Sequence, residues 1–367
     1  MAEEVKKQEY VENDKNLVVE TVFPDAEDAV LHSVREAPFE LYNLYDPKNT
    51  PIFRRLPEDV AAATSPQVAK LCREPAGGRI RFSTDSQYIL LKTVEPIVGR
   101  NSHMTLAMSA GFDLYEDTAA DSRYVKMFMP PYKMDGGYEQ IIRFGSRKLR
   151  YFTINMPIHS VVSEVYVGLQ PDAVIGEGMK YLPGDPIVVY GSSIVHGTAA
   201  TRPGLTYPNI LSRYLNRNVL NYGFSGAAKA EIPMMEYLAS LDMSLFVYDY
   251  DHNAPSPEYL RETHRRGFDI IRAAHPDIPI ILITRPNVAT NPSFAQERKD
   301  VVVDTFRAAR AAGDRRVWYI DGETFFLGRW ENECTMDGVH PNDLGFTLMA
   351  DSIEAVIRRA LAACDGK

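Results

Sequence analysis

Cysteine is scarce: three residues among 367, Cys72, Cys334 and Cys364, odd in number and far apart. That spacing supplies neither a disulfide framework nor a thiolate zinc site, and it suits a reducing compartment. Tryptophan is scarcer still, with two. No run approaches the ~20 apolar residues that a bilayer span needs, so no membrane partner is expected. Positive charge is not in excess either: 49 acidic residues against 40 basic leave a net charge of −9. This excludes a partner held mainly through phosphates, which draws on clustered Lys and Arg, so nucleic acid is not an expected ligand. The opening segment, MAEEVKKQEYVENDKN, lacks the apolar core and small-residue cleavage site of a secretory leader. The expectation is a cytoplasmic protein.

What is present describes two domains of different character. With 45% hydrophobic residues the chain is an ordinary globular one, and its length suggests two units at roughly 150 residues each. The first half carries short runs of alternating polarity at 79–83, 88–92, 103–108, 148–154 and 164–168, separated by turn residues including Gly-Gly pairs at 77 and 136. A period of two is that of half-buried strands, which predicts an antiparallel β-sandwich over 25–178 after an N-terminal extension, 1–24. One helix is expected there, 57–72, split by Pro66.

Beyond a hinge in 170–184 the pattern changes. Apolar runs at 187–190, 219–221, 245–250, 278–283 and 317–320 each precede an amphipathic segment, at 207–215, 233–241, 257–274, 292–312 and 343–363. Buried strands alternating with helices predict an α/β domain, three layers with a parallel sheet, over 179–367. In such sheets ligands bind beyond the carboxyl ends of the strands. Four segments there are chemically unusual: Tyr190-Gly-Ser-Ser-Ile-Val-His-Gly197, Asn221-Tyr-Gly-Phe-Ser-Gly226, Asp249-Tyr-Asp-His-Asn-Ala-Pro255 and Thr335-Met-Asp-Gly-Val-His-Pro-Asn-Asp-Leu-Gly345. Taken singly, each has a plain reading. A Gly-Ser-Ser turn is a common connection, Asn253 a turn former, Asp337 a helix cap. Together they put a hydroxyl, two candidate oxyanion donors and an Asp-x-x-His pair at one sheet edge.

In that order the four segments resemble the sequence blocks of the SGNH (GDSL-like) hydrolases, over about half the chain. The resemblance implies that Ser193 is the nucleophile, that Gly226 and Asn253 match the second and third blocks, and that Asp337 and His340 form the last. Two positions depart from the family pattern: Ser192 stands where an Asp is usual, and Ala254 replaces the Asp after the third-block Asn. The chemistry can also be argued from the residue types. A serine hydroxyl needs a base within ~3 Å, for which His340 is the candidate, and Asp337 would fix the imidazole tautomer. The backbone N–H groups of Ser193 and Gly226 and the Asn253 amide could stabilise the oxyanion. No cofactor is required.

The neighbouring residues have competing readings. His196, His252, Asp249 and Asp251 match no strong metal motif, so no metal is expected. His252 is a candidate substrate contact beside the site. Arg202 could line the cleft or make a surface ion pair, Tyr207 could contact substrate or sit in the core, and Trp330 could stack on a sugar ring or be buried. His103 could reach the cleft from the β-domain. Pairing of a β-sandwich with an SGNH-like domain resembles carbohydrate esterases that deacetylate mannan- or xylan-type oligosaccharides. Acyltransferases to a small-molecule or sugar hydroxyl share the architecture and the acyl-serine intermediate, and a non-catalytic carbohydrate-binding protein is the third reading. A homodimer is compatible with the sequence.

Overall fold

The computed structural model describes residues 18–286, 292–328 and 330–365. The segment on which the expectation about an export leader rests, 1–16, lies outside them. Two antiparallel sheets form the first half. One has the order β1 (Val30–Ser33), β9 (Glu164–Leu169), β4 (Tyr88–Val94), β7 (Gly137–Arg143). The other has the order β10 (Ile175–Glu177), β3 (Arg79–Thr84), β8 (Arg150–Asn155), β5 (Phe112–Asp117), β6 (Ser122–Phe128), with β2 (Glu40–Tyr42) also on β3. Their inner faces share one core, in which Ile80, Phe82, Phe112, Leu114, Phe152 and Ile154 meet Ile89, Leu91 and Val167. Residues two apart along each strand point the same way, so packing the two sheets face to face buries the apolar side of each.

Helix and strand readings in this half differ from the sequence expectation at one place and fall short at others. The run 103–108 is not a strand. Thr105 caps a short helix, α3 (Leu106–Ala110), by accepting the Met108 N–H at 3.2 Å, so a local cap overrides the alternation of apolar residues. Strands β1, β2, β5, β6, β7 and β10 carry no clear period of two. β6 illustrates why: it is an edge strand with three of its seven residues exposed and only Met127 and Phe128 buried. The break at Pro66 is present, with α1 (Glu58–Thr64) and α2 (Pro66–Leu71) separated by Ser65, whose Oγ accepts the Val68 N–H at 3.2 Å.

The second half holds a five-stranded parallel sheet ordered β12 (Val219–Gly223), β11 (Ile187–Gly191), β13 (Leu245–Asp249), β14 (Ile280–Ile283), β15 (Val317–Ile320). Strand parity assigns the two faces. Val188, Tyr190, Phe246, Tyr248, Ile280 and Leu282 lie in one cluster with α6 (Ile232–Ala239), α7 (Pro257–Ala274) and α8 (Pro292–Ala311). Ile187, Val189, Leu245, Val247, Ile281 and Ile283 lie in the other with α5 (Tyr207–Leu215) and α9 (Asp343–Asp365). Each fully buried aliphatic side chain contributes roughly 1.5–3 kcal/mol. The order 2-1-3-4-5 reverses between β11 and β13, and the crevice at their carboxyl ends is where such sheets take ligands.

The halves interlock. Leu56, Ala61, Val68 and Leu71, from α1, α2 and the turn before them, belong to the core of the α/β half rather than the sandwich. Arg55 is fully buried and donates to the carbonyls of Gly223 at 2.6 Å, Leu71 at 2.9 Å and Glu74 at 2.8 Å. Burial lowers its guanidinium to about 10. Among the described residues no helix is long and apolar enough to cross a membrane.

Candidate active site

Strand β11 ends at Gly191, where a Cβ would lie 2.3 Å from the Asp249 carbonyl oxygen, so only glycine fits beside β13. Ser192 then caps α4 (Ser193–His196) by accepting the Ile194 N–H at 3.2 Å. That bond gives the residue standing in place of the usual Asp a structural task. Ser193 follows at the first position of the helix, at the carboxyl edge of the sheet. Its backbone N–H is among the first-turn donors that the helix itself cannot satisfy.

The base comes from a turn 147 positions away. Met336 N–H reaches the His340 carbonyl at 2.9 Å, and Thr335 pairs with Pro341 across the turn, with Gly338 at φ +82°. This folds Asp337 back on His340: Oδ1 accepts the His340 N–H at 2.8 Å, and Oδ2 meets Nδ1 at 2.7 Å. The other ring nitrogen, Nε2, lies 2.9 Å from Ser193 Oγ. Partial burial raises the Asp337 pKa, but the hydrogen bonds from His340 and Val339 outweigh it and hold the carboxyl down to about 2. An ionised Asp337 keeps a proton on Nδ1 and leaves the Nε2 lone pair toward the hydroxyl.

The other two candidate oxyanion residues, Gly226 and Asn253, lie beyond the carboxyl ends of β12 and β13. Gly226 sits at φ +69° with open space where a Cβ would be, and its N–H has no acceptor among the described residues. Asn253 follows β13, and its Oδ1 is buried without a partner. The His252 ring beside it has a buried, unpartnered Nδ1. Burial, then Arg285 and His340 nearby, push its pKa down to about 3, so the ring is neutral. From the β-domain, His103 places its ring 6.4 Å from that of His340, centroid to centroid, at 25°.

Two sequence candidates are corrected. Tyr207 is fully buried, and its hydroxyl donates to Asp249 Oδ2 at 3.0 Å, so it is a core residue. Asp249 is itself pushed up to about 8 by burial and by Asp251 beside it. Arg202 neither lines the cleft nor makes a surface ion pair. It spans the domains, 2.7 Å from Asp113 Oδ2 and 2.6 Å from the Tyr115 hydroxyl, with its guanidinium over the Tyr124 ring. Asp113 is fully buried, which is why the arginine is drawn inward. Trp330 is 44% exposed on the loop before the Asp337 turn.

One group was not visible in the sequence. Glu74 and His159, both from the first half, meet His196 at the end of α4: Glu74 Oε2 lies 3.0 Å from His159 Nδ1 and 3.2 Å from His196 Nε2. These three side chains are grouped closely enough to hold a metal, a set different from the one weighed in the sequence. Their nitrogens are committed elsewhere as well. His196 Nε2 lies 3.0 Å from the Ile158 carbonyl, and Nδ1 lies 3.0 Å from Ser225 Oγ. His159 Nε2 meets Thr198 Oγ1 at 3.1 Å. Burial, with His159 and Arg55 nearby, lowers His196 to about 3. Burial also works to raise the Glu74 pKa, but hydrogen bonds from both rings win and hold it well below the usual carboxylate range. The cluster therefore reads as a fixed hydrogen-bond network that anchors Ser225, the residue before Gly226.

Comparison with known proteins agrees with this two-part fold. Residues 184–358 match the model of the GDSL-like lipase/acylhydrolase family, and residues 31–175 match that of the N-terminus of SGNH-hydrolase-type esterases. No curated protein matches the chain. Among solved structures, a protein of Bacteroides ovatus described as a GDSL-like lipase is 28% identical, with a TM-score of 0.82 over 91% of this chain and 98% of that one. The salicylyl-acyltransferase SsfX3 of a tetracycline biosynthetic pathway is 18% identical, with a TM-score of 0.72 over 93% and 99%. An acetyl xylan esterase of the rumen bacterium Butyrivibrio proteoclasticus is 11% identical, with a TM-score of 0.57 over 92% and 99%.

Proposed function

From a chain that belongs to the SGNH (GDSL-like) hydrolases, we propose a serine esterase that removes acetyl groups from acetylated oligosaccharides of plant mannan or xylan type. The observation that carries the esterase reading is the 2.9 Å contact between Ser193 Oγ and His340 Nε2. His340 takes the Ser193 proton as Oγ attacks the acetyl carbonyl. The negative charge on that oxygen meets the Ser193 and Gly226 N–H groups and the Asn253 amide, donors that cost no reorganisation. The tetrahedral intermediate collapses as His340 returns the proton to the sugar oxygen, leaving acetyl-Ser193. Water, deprotonated by His340, then releases acetate. Asp337 stays ionised throughout and stabilises the transient imidazolium. No step calls for a cofactor.

The sugar assignment rests on the two-domain architecture shared with the acetyl xylan esterase, on His103 of the β-domain beside the base, and on the exposed Trp330 as a stacking platform. Acyl transfer is the second reading, favoured by the greater likeness to the salicylyl-acyltransferase fold. Both reactions pass through acyl-Ser193, and the partition between water and an acceptor alcohol separates them. The test is acetate release from a panel of acetylated mannan and xylan oligosaccharides, with NMR assignment of the position lost. A series of acyl chain lengths and an added acceptor alcohol complete it. Activity rising with chain length, or acyl groups appearing on the acceptor in place of free acid, would overturn the acetylesterase assignment. Oligosaccharide binding with no turnover of any short acyl ester would favour the non-catalytic reading.

A further inference from the structure

A cavity of about 120 Å³ lies between the domains, lined by β3, the β5–β6 turn, the interdomain linker and α5. Its α5 side runs from Asn209 to Asn216, just before β12 begins at Val219. The cavity is therefore at the amino ends of the parallel strands, the opposite edge from Ser193.

Charge in this cavity is unbalanced. Arg79 is 1% exposed, and its guanidinium donates only to neutral groups: Ser212 Oγ at 2.5 Å, Asn218 Oδ1 at 2.7 Å and the Val219 carbonyl at 2.8 Å. Arg81 is 3% exposed and pairs with Asp117 at 3.0 Å. That carboxylate also accepts from Ser122 and Thr153. Arg213 and Lys180 line the same cavity, against Asp117 and Asp121 as the acidic groups. Lys180 and Asp121 have their own partners, Glu40 and Glu177 for the first and Arg123 for the second. Three guanidiniums thus face one carboxylate that is not otherwise paired with a cation. Within this set Arg79 Nε, Arg81 Nε and Arg81 Nη1 are buried with no hydrogen-bond partner, as is Asn209 Oδ1. A buried guanidinium with idle N–H groups is costly unless something neutralises it.

We propose that this cavity binds a phosphate-class oxyanion, its oxygens taking the idle N–H groups of Arg79 and Arg81 and its remaining hydroxyl donating to Asn209 Oδ1. Arginine suits such an anion because its donors are fixed and always charged. The site is independent of the esterase chemistry.

Calorimetric titration of the full-length protein with inorganic phosphate at pH 7.5 tests it, with sulfate in parallel, because sulfate has the charge but no hydroxyl for Asn209. Phosphate is expected to bind one per chain, to raise the melting temperature, and to bind severalfold more tightly than sulfate. Arg81→Met should weaken phosphate at least tenfold. Because that variant also strips Asp117 of its partner and could fail to fold, Ala120→Glu is the second. Ala120 is exposed at the cavity mouth, so a carboxylate there should weaken phosphate at least tenfold while leaving ester turnover unchanged. No phosphate binding, equal binding of sulfate, or undiminished phosphate binding by folded Arg81→Met or Ala120→Glu would overturn the proposal.

Discussion

Two carboxylate–imidazole–hydroxyl chains occur within this one molecule. In the first, Asp337, His340 and Ser193 are joined at 2.7 and 2.9 Å. In the second, Glu74, His159 and Thr198 are joined at 3.0 and 3.1 Å, and His196 with Ser225 makes a parallel branch from the same carboxylate. Distances alone do not tell the chains apart. Access and surroundings do. The His340 and Asp337 side chains are 21% and 40% exposed, whereas those of His159, Glu74 and His196 are 6%, 13% and 0%. The Gly226 N–H, a candidate donor to developing charge, has no acceptor among the described residues, while Thr198 and Ser225 lie 3.2 Å apart and share their hydrogen bonds with the two rings. A triad therefore needs a route for substrate and a place for developing charge, and the buried chain has instead the features of a structural brace.

The comparison is broken most sharply by the hydroxyls. Ser193→Ala should cost about 10⁶-fold in kcat on a chromogenic acetate ester, whereas Thr198→Val should change kcat by less than about threefold. Loss of activity in Thr198→Val with an intact fold would erase the distinction. The carboxylates come next. Asp337→Asn should lower kcat about 10⁴-fold by presenting the wrong tautomer, with little change in melting temperature. Glu74→Gln should act the other way, destabilising by about 1.5–3 kcal/mol in denaturant unfolding, because it removes the charged acceptor to which two buried rings are bonded. The oxyanion side is smaller: Asn253→Ala should cost ~10²–10³ in kcat, about 3–4 kcal/mol of barrier, with KM nearly unchanged. A rise in KM alone would make Asn253 a binding residue.

The last expected effect concerns pH and stability. Asp249 titrates at about 8 in the fold against 3.8 ordinarily, because burial and Asp251 disfavour its charge. The folded state then holds a proton that the unfolded chain has released. This contribution is fully present below pH ~4 and is lost as pH rises toward 8. Asp249→Asn, which keeps an acceptor for Tyr207, should flatten that decline and be the more stable protein at pH 8. A parallel pH dependence in the two proteins, measured by urea unfolding from pH 5 to 8.5, would show that Asp249 is ionised in the fold.

The catalytic edge could be read in the sequence because its signals are local. A glycine-bounded turn after an apolar run and an Asp-x-x-His spacing report backbone geometry within a few residues, and strand parity gives the two faces of the parallel sheet. The sandwich was legible where polar and apolar residues alternate along a strand, whereas edge strand β6, with only Met127 and Phe128 buried, left no period. The cleft readings of Arg202 and Tyr207 fail for a common reason: each stands near the nucleophile in the chain, but each is claimed by a buried carboxylate, Asp113 or Asp249, supplied by a strand. Nor could the sequence show that α1 and α2 belong to the core of the other domain.

Residue order by itself determined the alternation of strand and helix, the polar turns at the strand ends and the types of group available for ester chemistry, since propensity and periodicity act over a few residues. Only the tertiary structure decided which of the two imidazole chains faces solvent, which arginines bridge the domains and which are left with idle donors. Those outcomes depend on burial and on polar and charge pairing between segments 85 to 168 positions apart, and no local pattern carries that information.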